Sequence, residues 1–322
     1  MNTIKLKFAM VGTVAAIISL STLFFTVVLS SLGSLNIMTL GVFVVLFNVL
    51  QWLIAPYLVD LMYRVRKPSK SEGSEIGEMV QRLSQKSGMK APQLMIADIP
   101  LPNAFAYGSP LTGNRIAITT GTLKTLEAEE VEAVIGHELG HLKHRDVQVM
   151  MFVSILPALF YYIGYSLMWS SMYNRRDNRG NGASLALIGY TSIAFYFVLT
   201  MFTLYMSRLR EYYADRHSVT IVDDGARKLS EGLVKIAYST GRMRRSNVNM
   251  ANLNSLKALF ISDPDTVGKD ARVLSKTGAW KSDRELVNEY LSRKVTTLDK
   301  VTEYFSTHPN MVERLRALRK MA

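Results

Sequence analysis

Four long stretches of this chain carry no charged residue: Phe8–Leu29, Leu35–Val59, Val147–Tyr173 and Ala183–Ser207. A helix rises about 1.5 Å per residue, so each run is long enough to cross a hydrocarbon layer of about 30 Å. One such run can be a large buried core helix. Four in a chain of 322 residues predict a multi-pass membrane protein. Lys5 and Lys7 before the first run resemble the start of a signal peptide, but its apolar part is too long and a second run follows at once. The reading is a retained hairpin turned at Ser30–Ser34, with a second hairpin formed by the last two runs.

Lysine and arginine orient the spans. Lys5 and Lys7 precede the first run, and Arg64, Arg66, Lys67 and Lys70 follow the second. Both ends of the first hairpin are therefore expected in the cytoplasm, with the polar remainder. The turn 174–182 disagrees, since it holds three arginines against one aspartate on the outer side. The second hairpin can also be one that enters the membrane only part way. The net charge of +12 suits anionic lipid head groups, so membrane lipids are expected partners. No nucleic-acid-binding motif accompanies it. The absence of cysteine excludes disulfides and thiolate ligands and fits a cytosol-facing domain.

Between the apolar runs the pattern changes. Ile76, Met79, Val80 and Leu83 recur at helical spacing within Ser69–Gly88. Gln93–Asp98 and Arg115–Thr120 read as strands, with Pro102 and Gly108 bracketing Asn103–Tyr107, so a small antiparallel sheet is expected. A helix should start near Glu127 and continue into the third apolar run. Residues 241–284 read as a polar surface excursion that could cover the cleft, 285–304 as helical, and a last helix follows His308-Pro309. The organisation is then a membrane hairpin (1–62), the first part of a catalytic domain (63–146), a second hairpin (147–207) and the rest of that domain (208–322).

The helix after Glu127 contains His137-Glu138-Leu139-Gly140-His141. Positions i and i+4 share a helix face, so both imidazoles can reach one metal ion. Zinc accepts nitrogen and carboxylate oxygen, and a catalytic site supplies three protein ligands and a water. Glu138, beside the first histidine, is placed to take a proton from that water. The plain alternative for the motif read alone is a polar helix face with two ordinary histidines. Glu211, where the fourth run ends, is the third ligand expected, because the second hairpin leaves and returns on one side. Asp215 lies one turn further and can accept the other N–H of His137. The plain alternative for both acids is a solvated face paired with Arg208 and Arg210. His144 and His217 are read as structural.

Together these segments resemble the HtpX family of integral-membrane zinc metalloproteases, within the gluzincin group that includes the CAAX prenyl proteases. The resemblance is carried by His137–His141, Ser207–Asp215, Pro102–Ala106, Ser306–Pro309 and Arg314, with the four apolar runs in order. It implies a mainly α membrane protein with a gluzincin-like α+β protease domain. It also implies one zinc per chain on His137, His141 and Glu211, with Glu138 as general base. Asn103, Ala104, Phe105 and Ala106 resemble an edge strand that takes substrate as a further strand, with Asn103 free to bond its backbone. His308 resembles a histidine that steadies the oxyanion, a role worth roughly 3–4 kcal/mol, and Arg314 resembles its supporting arginine. Without the resemblance, Asn103 is a turn residue and His308 a helix-entry residue. Asn310-Met311-Val312 departs from the family's usual wording, which puts only a local turn in question. The implied function is cleavage of unfolded or membrane protein substrates in membrane quality control. The rivals are a processing protease of CAAX type and a non-catalytic membrane scaffold.

Overall fold

The computed structural model describes residues 37–174, 182–245 and 282–322. The first apolar run, its turn, the basic turn at 175–181 and the excursion at 246–281 lie outside the described residues. Two compact units emerge. One gathers the apolar chain up to Trp52 and Gln148–Tyr205, and the other gathers Leu53–Val147 and Met206–Ala322.

Three apolar runs are helices long enough to cross a membrane by length and composition. They are α1 (Ile37–Met62), α5 (Asp146–Asn174) and α6 (Gly182–Ile221). Within the apolar unit, Val44, Ala158 and Tyr162 form a small buried cluster, and Phe160 stacks on Phe195 at 5.7 Å. Gly164 and Gly189 face each other: a Cβ added at Gly164 would lie 2.8 Å from the Gly189 carbonyl. Small residues permit such close backbone approach, which is how membrane helices pack. Leu46, Leu50, Phe197, Val198 and Phe202 remain exposed, as lipid-facing side chains would. Helix α6 has 40 residues, about 60 Å. That is twice a hydrocarbon layer, so its charged end from Arg208 onward lies beyond the apolar part.

The second unit is built on a four-stranded sheet. Its strands are β1 (Val65–Arg66), β2 (Gln93–Ala97), β3 (Ala104–Ser109) and β4 (Gly113–Thr119), in the order β1-β2-β4-β3. The sheet is mixed, not antiparallel as expected: β2 and β4 run parallel, while β1–β2 and β3–β4 are antiparallel. The β3–β4 hairpin folds back so that the apolar β4, not β3, lies against β2. Residues 98–103 are long enough to bypass the intervening position, and β3 is left at the edge. Side chains alternate across the pleat. Ala104, Ile116 and Ile118 enter the main core, and Met95, Phe105, Tyr107 and Ala117 pack on the other face with Tyr63.

The main core is completed by helices α2 (Lys70–Lys86), α3 (Thr120–Thr125), α4 (Ala128–Lys143), α7 (Gly225–Arg245), α8 (Asp283–Leu291) and α10 (Met311–Arg319), and a short helix α9 (Thr297–Tyr304) lies between the last two in sequence. Ser69 and Glu72 cap α2 reciprocally. Residues 241–245 belong to α7 rather than to an excursion, and the helical stretch expected at 285–304 is formed by α8 and α9. Helix α4 does not run on into the third apolar run. It ends at Lys143, and Arg145 takes a positive φ of 53° before α5 begins at Asp146. A left-handed residue ends a helix by turning the chain out of its axis.

Candidate metal centre

Helix α4 places His137 and His141 on one face, with the acids Glu129 and Glu130 in its first turn where the helix dipole favours them. Gly136 and Gly140 are also one turn apart. A Cβ at Gly140 would lie 2.8 Å from Ala214 Cα, and one at Gly136 would lie 3.0 Å from Ser218 Oγ and Val222 Cγ2. These glycines let α6 lie directly against α4, and Ser218 Oγ locks the pair by donating to the Ala133 carbonyl at 2.7 Å. The approach turns Glu211 toward the two histidines.

The resulting triangle is compact. His137 Nε2 and His141 Nε2 are 3.1 Å apart, and each lies 3.6 Å from an oxygen of Glu211. Zinc with bonds of about 2.0–2.1 Å places tetrahedral ligands about 3.3 Å apart, so these three residues fit such an ion. Glu211 is buried, and its Oε2 makes no hydrogen bond, although Arg314 Nη1 stands 3.0 Å away. A buried carboxylate oxygen left in that condition suits a cation.

Two carboxylates grip the outer nitrogens of the imidazoles. His137 Nδ1 lies 2.9 Å from Asp215 Oδ1, and His141 Nδ1 lies 2.6 Å from Asp146 Oδ2. Both contacts leave Nε2 directed at Glu211. Arg314, wholly buried, forks onto Asp215 with two contacts of 2.6 Å. Arg210 reaches Asp146 at 2.9 Å. Burial alone would raise the Glu211 carboxyl, but His308 and Arg314 outweigh it and hold it well below its ordinary value. Asp215 shows the same contest, with burial overcome by Arg314 and by the hydrogen bond to His137. Arg314 in turn is held above its usual range despite burial, chiefly by Asp215 and then Glu211.

The basic residues considered as surface partners for the two acids go elsewhere. Arg208 Nη1 donates to main-chain carbonyls, and Arg210 serves Asp146. Glu138 is buried on α4 beside the histidines. His308 Nδ1 is 3.4 Å from Glu211 Oε1, and neither ring nitrogen has a hydrogen-bond partner among the described residues. Asn310 caps α10 by accepting from the Val312 amide at 2.9 Å, which holds the turn carrying His308-Pro309. Asn103 is fully buried, its amide bonded to Thr119 Oγ1 and its carbonyl to Thr122 Oγ1. Ala104 and Phe105 are buried too, so β3 has chiefly its outer backbone edge to offer. His217 stands apart: burial, then His144 and Lys143, push it down to about 4, and its Nε2 contacts Ser87 Oγ at 3.0 Å.

Asp146 and Arg210 are site residues that sequence reasoning missed. Asp146 lies five residues after His141, which on a continuous helix is a different face. The turn at Arg145 returns it to His141. Its only signal was its place at the start of an apolar run.

Residues 70–322 match Peptidase family M48. A protease HtpX homolog of Thermoplasma acidophilum is 34% identical over 295 residues, 89% of this chain and 86% of that protein. One of Aeropyrum pernix is 36% identical, covering 84% of this chain and 82% of its own length. The crystal structure of S. mikatae Ste24p shares the fold with a TM-score of 0.56 at 17% identity, covering 98% of this chain and 67% of that one. The match over residues 70–322, and identities of 34% and 36% over most of both chains, make the chain a member of peptidase family M48 and an HtpX-like membrane metalloprotease.

Proposed function

We propose that the chain is a zinc-dependent endopeptidase that cuts misfolded or membrane proteins at the cytoplasmic surface of the cell membrane, in protein quality control. The observation that carries the reading is the convergence of His137, His141 and Glu211 on one point beside Glu138. A zinc ion held there would supply Lewis acidity, drawing the pKa of a water toward about 7. Glu138 accepts the proton of the attacking water and returns it to the leaving amine. His308, whose ring nitrogens have no hydrogen-bond partner among the described residues, offers an N–H to the oxyanion. Asp215 and Asp146 keep each imidazole in one tautomer, and Arg314 keeps Asp215 ionised. The outer edge of β3 takes an extended substrate by main-chain hydrogen bonds.

The test is purified wild type against Glu138→Gln, with bound zinc and casein cleavage read together. Both proteins are expected to hold about one zinc per three-ligand site, and only the wild type to cut. Equal cleavage by the two would remove Glu138 from the mechanism. Zinc in both with no cleavage of any unfolded substrate would favour a dedicated processing enzyme or a scaffold.

A further inference from the structure

Helix α9 carries an apolar face that nothing in the described structure covers. Leu298, Val301, Tyr304 and Phe305 are 50%, 48%, 64% and 49% exposed. They recur at three- and four-residue spacing, so they share one side. Thr302 is buried on the inward side, Asp299 caps the helix start at Thr296, and Lys300 is exposed beside the apolar face. A water-exposed helix of eight residues has little reason to present three large apolar groups together, with a fourth at the Phe305 C-cap.

Arg208 ties the end of α9 in place. Arg208 Nη1 donates to the carbonyls of Glu303, Tyr304 and Ser306 at 2.9, 3.2 and 2.8 Å. The guanidinium closes the carbonyl end of α9, where a cation is favoured. Arg208 is also the first charged residue after the apolar run Ala183–Ser207, on the same uninterrupted helix. In a membrane span that is the level of the lipid head groups. The end of α9 is therefore tied, within hydrogen-bond reach, to the residue that follows the apolar run of α6.

We propose that α9 is an interfacial helix whose Leu298, Val301, Tyr304 and Phe305 enter the head-group and upper acyl region of the bilayer. Apolar and aromatic groups on one side with lysine at the margin are the composition of a surface-lying membrane helix. Lys294 and Lys300 are exposed and can reach anionic head groups. The inference rests on the reading of α6 as a membrane span. It adds a second attachment, contributed by the segment that leads directly to His308.

The chain contains no cysteine, so single labels are simple to place. Val301→Cys, Phe305→Cys, Phe195→Cys and Asp223→Cys would each carry an environment-sensitive fluorophore, in nanodiscs holding one chain. Phosphatidylcholine nitroxides, shallow or deep, serve as quenchers. Phe195 lies midway along the run, and Asp223 is fifteen residues past Arg208, about 20 Å further along the chain. Loss of intensity at 301 and 305 with the shallow nitroxide is expected, together with loss at 195 with the deep one and none at 223. Quenching at 195 alone overturns the interfacial helix and leaves the span intact. No quenching at either place overturns the span as well. Shielding of 301 and 305 from water without quenching would mean that this face meets protein, and would also overturn it. Leu298→Cys repeats the reading should either of the first two labels disturb folding.

Discussion

At the scale of single residues, the orienting carboxylates divide the work. Asp215 holds His137 and is itself held by Arg314, whereas Asp146 holds His141 and is held by Arg210. Asp146→Ala should lower zinc affinity or activity about 10–100-fold, as loss of such partners typically does. Zinc competition against a chelator, compared with casein turnover, checks this, and unchanged affinity would leave Asp146 a structural residue. Arg314→Met leaves Asp215 without its buried cation and should cost about 3–5 kcal/mol. The pH sign follows from the directions of the shifts. Glu211 and Asp215 are both held below their ordinary values. Their contribution is thus fully present above the unfolded carboxylate range of about 4 and is lost as pH falls through the lower folded values. Without Arg314 that loss should begin at higher pH, which thermal unfolding of the two proteins from about pH 7 down to about pH 3 would reveal. Parallel curves would dismiss the linkage.

At the scale of elements, the decisive contact is α4 against α6. Gly140 stands where any side chain would hold the helices apart, and at Gly136 the Ser218 and Val222 side chains would have to give way. Gly140→Ala puts a methyl 2.8 Å from Ala214 Cα, a backbone atom that cannot swing away. Overpacking of this kind costs about 1–3 kcal/mol. The larger consequence is that Glu211 withdraws from the histidines. Bound zinc and activity should both fall by more than the loss of melting temperature suggests, and retention of full zinc occupancy would refute this. The sheet is tied to the end of α1 within the same unit. Asp60 accepts from Tyr107 on β3 at 2.6 Å and pairs with Arg115 on β4 at 2.6 Å, and Ser109 donates to the Leu53 carbonyl. These bonds hold the C-terminal half of the edge strand to the last turns of an apolar helix.

At the scale of the whole molecule, the arginine and lysine bias around the first hairpin predicts a cytoplasmic C-terminus. A reporter active only in the cytoplasm, fused after Ala322, should be active. Activity instead from a reporter that works only outside would reverse the orientation and with it the proposed substrates.

What could be read from the residues alone was whatever depends on neighbours along the chain. Run length marked the apolar helices, and three- and four-residue spacing marked α2 and α4. Alternation and turn residues marked the strands, and the motif of paired histidines marked the metal face. Each is a local regularity imposed by helix or strand geometry. Glu211 was legible only because the hairpin between α5 and α6 must bring the chain back. Whether β2 and β4 run parallel was not legible, since it depends on which strand of a hairpin turns inward. Asp146 and Arg210 were hidden because one left-handed residue, Arg145, breaks the helix that sequence periodicity would extend. The tie from Arg208 to α9 joins residues almost a hundred positions apart. Such contacts follow from three-dimensional packing, where a glycine's missing methyl or a single φ angle decides which distant side chains meet.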